Sequence, residues 1–110
     1  MKRGEVWWVD FGPSQGGEIQ KTRPAVIISN DVANRFLNRI QVVPLTSQID
    51  KLYPSEAYVK VSGKQSKAMA DQIATVAKHR LKNQAGKLSL KDLQSVERVV
   101  KLQLGLVDGG

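Results

Sequence analysis

Short apolar and alternating stretches in the first part of the chain predict strands. Residues 5–11 (EVWWVDF) are β-branched and aromatic and end at a Gly-Pro pair, which predicts a first strand. Residues 25–29 and 40–45 are short apolar runs that predict two buried strands. Pro44 predicts that the second of these runs ends at a sheet edge or a bulge, because proline donates no ladder hydrogen bond.

Two further segments complete the predicted sheet. Residues 56–61 alternate cleanly, so Ala57, Val59 and Val61 are expected to face inward. Residues 67–76 predict one bent strand or two short ones. Between the strands, Asn30 and Asp31 predict a turn or a single helical turn. Residues 12–22 are polar and glycine-rich, which predicts a loop long enough to suggest a function.

The last element has helical spacing instead. Residues 89–92 (SLKD) fit a capping box, in which side chains satisfy the free amides of a starting helix. Apolar residues then recur at intervals of three and four, which predicts an amphipathic helix with a core-facing stripe. The stripe consists of Leu90, Leu93, Val96, Val100, Leu104 and Val107.

These elements predict a mainly β fold with helices. The expected architecture is a small, bent antiparallel sheet or partly closed barrel, finished by a C-terminal amphipathic helix. With 110 residues, the chain is expected to form a single domain over residues 1–110 with only a modest core. Dimerisation would stabilise so small a domain.

The charge balance indicates what kind of partner the protein binds. Seventeen Lys and Arg face ten Asp and Glu, which gives a net charge of +7 and favours a polyanionic partner over a solvated basic surface. The charge is uneven, with seven basic residues and one acidic residue between Lys64 and Lys91. This segment is a candidate for contact with phosphates.

Composition also excludes several chemistries. The chain has no cysteine and one histidine, His79, so thiolate chemistry and multi-histidine metal sites are excluded. We expect no cofactor and no metal. No apolar run approaches the length of a membrane span, and the first residues lead into no signal-type stretch. The expected location is cytoplasmic.

Arg23 is the first candidate for chemistry. It lies where the glycine-rich loop enters a buried strand, so the sheet would hold it while its planar guanidinium binds a phosphate bidentately. The alternative is a structural ion pair with Glu18 or Glu5. On composition alone the two readings are balanced.

Two polar groups lie beside predicted strands. Thr46, Ser47 and Gln48 follow the third strand directly, where they would contact phosphate oxygens or base edges, or cap a turn. Asp71 and Gln72 interrupt an apolar stretch. Buried polar groups of this kind require partners, which implies either a structural network or a site.

Taken in order, these blocks resemble the MazF/PemK family of toxin endoribonucleases. The matching segments are residues 3–11 (RGEVWWVDF), 17–18 (GE), 23–31 (RPAVIISND), 44–48 (PLTSQ) and 70–73 (ADQI), together with Thr75. The resemblance spans nearly the whole chain, and the order and spacing of the blocks are specific.

The resemblance implies an SH3-like barrel, a homodimer and single-stranded RNA bound in a groove across the dimer. It also implies metal-independent cleavage, in which a 2′-hydroxyl attacks the adjacent phosphate. The implied protein partner is an antitoxin whose acidic tail blocks the RNA groove. No membrane is involved.

The resemblance also implies roles for individual residues. Arg23 matches the essential arginine, which would stabilise the charge that develops on the phosphate. Thr46 matches a threonine that hydrogen-bonds this phosphate. Glu18 would accept the 2′-hydroxyl proton or, as we slightly favour, orient Arg23. For RNA contact we add Ser47, Gln48, Ser66, Lys67 and Gln72, with Phe36 as the ring for base stacking.

One departure from the family leaves the acid–base chemistry open. Some relatives carry an arginine two residues before the aspartate that matches Asp71, and this chain has Met69 there. The general acid is therefore unassigned, and Asp71 is either catalytic or structural. The competing functions are a toxin of the same fold that poisons a DNA topoisomerase and a non-catalytic nucleic-acid-binding barrel.

Overall fold

A computed structural model describes residues 1–13 and 22–107. In this part of the chain the strands are β1 (Glu5–Asp10), β2 (Thr22–Ile27), β3 (Arg39–Thr46), β4 (Glu56–Val61), β5 (Lys64–Met69), β6 (Ala74–Ala77) and β7 (Leu81–Lys87). The helices are α1 (Asp31–Phe36) and α2 (Leu90–Gln103), and short 3-10 turns span Ala70–Gln72 and Lys78–Arg80. No helix within the described residues is long and apolar enough to cross a membrane.

The strands form a curled antiparallel sheet. Their order is β4-β5-β3-β2-β1-β7, and β6 pairs with β3 beside this path. Although β4 and β7 end the order, they approach each other, because a Cβ on Gly86 would lie 3.0 Å from Val61 Cγ1. The Ser62 hydroxyl also donates to the Ala85 carbonyl at 3.2 Å. The expected partly closed, mainly β barrel with a C-terminal helix is confirmed.

Alternation along the central strands separates two apolar clusters. Val6, Val26 and Val43 are fully buried in one cluster, which Val96 of α2 joins. Val9, Ala25 and Val42 are fully buried in the other. Because neighbouring residues of a strand point to opposite faces, both faces of the central strands are covered. This burial fixes the backbone of β1, β2 and β3 and therefore the side chains at their ends.

The position of Pro44 corrects the sequence prediction. Pro44 is buried within β3, which is a central strand and not an edge. On one side, β3 pairs with β6 through Arg39–Val42 and then with β5 through Leu45 and Thr46. Pro44 lies at the break between these two partners, where no ladder bond is required from its missing N–H.

The segment between residues 67 and 76 forms two strands, the second of the two predicted alternatives. β5 ends at Met69, a 3-10 turn follows, and β6 begins at Ala74. The structure also contains β7, which the sequence analysis did not predict. The sequence analysis missed this strand because residues 81–87 (LKNQAGK) contain no β-branched or aromatic residue, the types that favour strands.

Helix α2 begins as predicted, and the middle of the predicted stripe faces the core. The Ser89 hydroxyl accepts the Asp92 N–H at 3.1 Å, while the Asp92 carboxylate accepts Lys60 N–H at 2.8 Å and ties the helix to β4. Val96 and Val99 are buried, and Leu93 and Val100 are partly buried. The predicted stripe is wrong at its ends, since Leu90, Leu104 and Val107 are exposed there.

Candidate active site

An open cleft of about 760 Å³ lies between the ends of the central strands and the β4–β5 hairpin. Five of the nine predicted site residues line it, namely Arg23, Thr46, Ser47, Gln48 and Ser66. These residues come from β2, from β3 and the turn after it, and from β5. The curl of the sheet therefore brings together side chains that are up to 43 residues apart (66 minus 23) in the sequence.

Arg23 is held by the most deeply buried part of the sheet. It pairs in register with Val9 of β1, and the three residues from Ala25 to Ile27 that end β2 are fully buried. Among the residues that the structure describes, no ion pair or hydrogen bond engages its guanidinium. Glu5, one of the two proposed structural partners, instead accepts Trp7 Nε1–H at 3.0 Å. Glu18, the other partner, lies outside the described residues.

Thr46 ends β3 and shapes the turn that follows it. Its Oγ1 accepts the Gln48 N–H at 3.2 Å, which is the capped turn that the sequence analysis considered. Because the oxygen accepts this bond, the hydroxyl proton remains available to a ligand in the cleft. Thr46 therefore both holds the turn and presents a hydrogen-bond donor next to Ser47 and Gln48.

The structure does not bring Lys67 to the cleft. Its side chain is buried, and its ammonium pairs with Glu56 Oε1 at 2.8 Å and donates to the Lys51 carbonyl at 2.6 Å. Burial acts to raise the pKa of Glu56, but the bonds from Lys67 and from the Tyr53 N–H outweigh it and hold that pKa below its usual value. Ser66, the neighbouring residue, does line the cleft.

Gln72 and Asp71 also lie away from the cleft lining. Both are exposed in the 3-10 turn after β5, and Gln72 Nε2 is directed to Met69 Sδ at 3.6 Å. These two residues therefore form no buried polar network and do not line the cleft, which were the two predicted alternatives. Thr75 lies on β6, where its hydroxyl accepts Gln41 Nε2–H at 3.0 Å.

The aromatic side chains are arranged differently from the prediction. Phe36 is 74% exposed on α1 and lines a separate surface concavity with Met1, Lys2 and Lys78. Trp8, which was not among the predicted site residues, is 38% exposed and lines the cleft. By strand alternation Trp8 shares a face with Val6, but it does not join the apolar cluster that Val6 forms with Val96 of α2.

Further cleft residues were not predicted. Lys64, Ser62 and Gln84 line it, from β5, the β4–β5 turn and β7. Ser62 and Gly63 both have positive φ, which is typical of a two-residue hairpin turn and places Lys64 directly after it. The basic segment after residue 64 was a usable signal for Lys64, whereas Gln84 depended on the unpredicted β7.

The described part of the cleft is electropositive. Its described lining contains two cations, Arg23 and Lys64, and no carboxylate. Hydroxyl and amide groups provide neutral hydrogen-bond donors beside them. Such a set can bind a phosphate and stabilise charge on its oxygens. Within residues 1–13 and 22–107, no group of three acidic or histidine side chains has a geometry that would hold a metal ion.

Comparison with known families decides the class of this protein. The sequence profile described as a PemK-like, MazF-like toxin of type II toxin-antitoxin systems matches residues 2–104. The chain belongs to this family. The protein is therefore a MazF-type endoribonuclease toxin, as the resemblance predicted.

Individual relatives match this MazF-like chain over nearly its whole length. Endoribonuclease MazF9 of Mycobacterium tuberculosis is 41% identical over 115 residues, which cover 96% of this chain and 98% of the relative. Endoribonuclease MazF of Staphylococcus saprophyticus is 35% identical, over 96% and 92% of the two chains.

Solved structures share the fold of this MazF-like toxin. MazF of Deinococcus radiodurans superposes with a TM-score of 0.80 at 25% identity, over 96% of each chain. A mycobacterial endoribonuclease in complex with its cognate antitoxin gives a TM-score of 0.82 at 24% identity, over 97% of each chain. At these identities the agreement concerns above all the barrel and its helices.

Proposed function

We propose that this toxin cuts single-stranded RNA in a sequence-specific, metal-independent reaction within the Arg23–Thr46 cleft. The observation that carries the proposal is the meeting of Arg23, Thr46 and Lys64 in one cleft whose described lining has no carboxylate. The two cations of this described lining attract a phosphodiester.

The proposed reaction is an internal transfer of the phosphoryl group. The 2′-oxygen of a nucleotide bonds to its own 3′-phosphorus, and the bond from phosphorus to the 5′-oxygen of the next nucleotide breaks. The 2′-hydroxyl proton passes to a base, and the departing 5′-oxygen takes up a proton. The products are a 2′,3′-cyclic phosphate and a free 5′-hydroxyl.

The cleft residues would lower the barrier by stabilising the phosphorane-like transition state. The Arg23 guanidinium would bind the non-bridging oxygens, on which negative charge increases, and the Thr46 hydroxyl would donate to one of them. Fixed donors stabilise developing charge better than mobile water because they need no reorientation. Glu18 remains our proposal for accepting the 2′-hydroxyl proton or orienting Arg23.

Substitution of the substrate tests this mechanism directly. Once a cleavage site is mapped, we expect a single 2′-deoxynucleotide on its 5′ side to abolish cutting there and nowhere else, while 5′-end analysis finds a hydroxyl. Continued cutting at the deoxynucleotide, or a 5′-phosphate product, would contradict attack by the 2′-oxygen.

We further propose that the toxin is a cytoplasmic homodimer with one domain in each copy. We also propose that it inhibits translation and growth until an acidic segment of an antitoxin occupies the cleft. The solved mycobacterial relative in complex with its antitoxin supports an antitoxin partner, and the two cations in the described cleft lining, Arg23 and Lys64, fit an acidic tail. Exposed apolar side chains on α1, including Val32 and Phe36, support self-association. Sedimentation equilibrium at micromolar concentration tests the dimer, and a monomer would contradict it.

A further inference from the structure

Trp8 is a large aromatic ring that β1 leaves at the surface of the cleft. Its neighbours Val6 and Val9 are fully buried, whereas Trp8 is 38% exposed. An aromatic ring that lines a concave surface offers a ligand a large apolar contact area, and covering that area would favour binding. This exposure points to a ligand that covers the ring.

Trp7 supplies an internal comparison in the same strand. Trp7 packs against the cluster that contains Val9, and its indole N–H donates to Glu5 at 3.0 Å. Within the described part of the chain, the Trp8 indole N–H donates to no acceptor. Trp7 is therefore accounted for by the fold, whereas the described residues leave the Trp8 ring partly open and give its N–H no acceptor.

The surroundings of Trp8 are those of a nucleotide subsite. Trp8 pairs in register with Pro24, the residue after Arg23, so a rigid ring and a cation lie beside it. Thr46 is on β3, which flanks β2 on its other side, and two strand spacings amount to roughly 10 Å. A ring at this distance from the proposed phosphate site would meet a base next to the scissile phosphate.

The other aromatic side chains of the described region are engaged or remote. Tyr58 donates its hydroxyl to the Ile49 carbonyl at 2.9 Å, and the Tyr53 ring lies under the Lys67 ammonium at 5.5 Å. Phe36 lines a different concavity. Among the described residues that line the cleft, Trp8 is the only aromatic side chain.

We propose that Trp8 is a substrate-binding residue that stacks on a base adjacent to the scissile phosphate. This inference rests on the proposed ribonuclease function and adds a base to the part of the substrate that the cleft contacts. Stacking of a base on an aromatic ring strengthens single-strand binding, so its loss should weaken RNA affinity on the order of tenfold or more.

Two tryptophans in one strand give a matched fluorescence test. The ligand is an RNA oligonucleotide that spans a mapped cleavage site and carries a 2′-O-methyl group there, so that it binds without being cut. In the Trp7→Phe variant only Trp8 emits, and we expect its emission to be quenched on binding. In the Trp8→Phe variant only Trp7 emits, and we expect little change. Quenching of Trp7 alone would overturn the proposal.

Affinity for RNA lacking single bases identifies the stacked position. Trp8→Leu, which keeps an apolar side chain but removes the ring, should bind intact RNA on the order of tenfold more weakly, while Trp8→Phe stays close to wild type. With an abasic nucleotide at the stacked position, wild type and Trp8→Leu should bind equally. An equal loss at every position, or no loss with Trp8→Leu, would overturn stacking.

The same measurements separate this inference from the proposed function. If the wild type cuts no RNA, the ribonuclease proposal fails, and quenching of Trp8 by a long uncut RNA still tests whether Trp8 contacts a base. If the wild type cuts RNA and Trp8→Leu cuts it with unchanged kcat/KM and unchanged sequence preference, the role of Trp8 fails alone.

Discussion

Lys67 and Glu56 form a buried ion pair, with 2.8 Å between Nζ and Oε1, on paired strands of the β4–β5 hairpin. The same ammonium donates to the Lys51 carbonyl, and Glu56 Oε1 also accepts the Tyr53 N–H. The pair therefore ties the connection between β3 and β4 to the hairpin. That connection begins with Ser47 and Gln48, which line the cleft.

Removing one partner of this pair should destabilise the fold. Lys67→Met leaves a buried carboxylate without its cation, which typically costs about 3 kcal/mol or more. The double variant Glu56→Gln/Lys67→Met should recover most of this loss, because a glutamine oxygen still accepts the Tyr53 N–H. Urea unfolding of the three proteins measures the difference. A single variant as stable as wild type would show that the pair contributes nothing.

The same double variant distinguishes support of the cleft from direct RNA contact. Because the Lys67 ammonium lies inside the hairpin, we expect RNA affinity close to wild type. Lys64→Met removes a cation from the cleft lining, so affinity and its salt dependence should both decrease. If the double variant loses as much affinity as Lys64→Met, then Lys67 leaves Glu56 and binds RNA, as the sequence analysis expected.

Stability should depend on acidic pH through Glu56. Its folded pKa lies below the ordinary value of 4.5, so the stabilisation is present above that value and is lost as pH falls through the lower folded pKa. We expect the free energy of unfolding to fall more steeply below pH 4.5 in wild type than in the Glu56→Gln/Lys67→Met variant. Parallel profiles would assign the acid sensitivity to other carboxylates.

Gly86 sets how closely the two ends of the sheet approach. A Cβ there would lie 3.0 Å from Val61 Cγ1 and 3.2 Å from Ser62 Oγ, and both residues line the cleft. We expect Gly86→Ala to destabilise the protein by about 1 kcal/mol through overpacking and to lower cleavage. Adding Val61→Ala makes room and should restore both in part. No recovery in this double variant would contradict a packing origin.

Thr46 should act through its hydroxyl. Thr46→Val keeps the shape but removes the donor, so we expect kcat to fall on the order of a hundredfold, while Thr46→Ser retains most activity. Thr75→Val is the matched control, since its hydroxyl bonds Gln41 and does not line the cleft. Equal effects of the two valine substitutions would remove the special role of Thr46.

Local pattern predicted the elements whose signals are local. Strand β4 matches its alternation, and α2 begins at the predicted cap. The site residues that adjoin strand ends, such as Arg23 and Thr46, were predictable because burial of the adjacent strand fixes them. Their meeting in one cleft was expected from the family resemblance and not from spacing.

Other features depend on packing and strand pairing between segments that are far apart in the sequence. The burial of Lys67 requires the register of β5 with β4, which places Glu56 diagonally across from it. Trp8 is partly exposed because it joins neither of the two apolar clusters that bury Val6 and Val9. β7 itself is a strand because it pairs with β1, although its own composition does not favour one. Sequence periodicity carries none of this information.

The central claim is that Arg23 provides the essential charge for metal-independent RNA cleavage. The most direct measurement incubates a long, mixed-sequence single-stranded RNA in excess EDTA with wild type, Arg23→Ala and Arg39→Ala. Arg39 is an exposed arginine at the start of β3, outside the cleft lining, and so controls for loss of positive charge. We predict discrete fragments with wild type and Arg39→Ala and intact RNA with Arg23→Ala. Intact RNA with wild type, or fragments with Arg23→Ala at the wild-type rate, would contradict the claim.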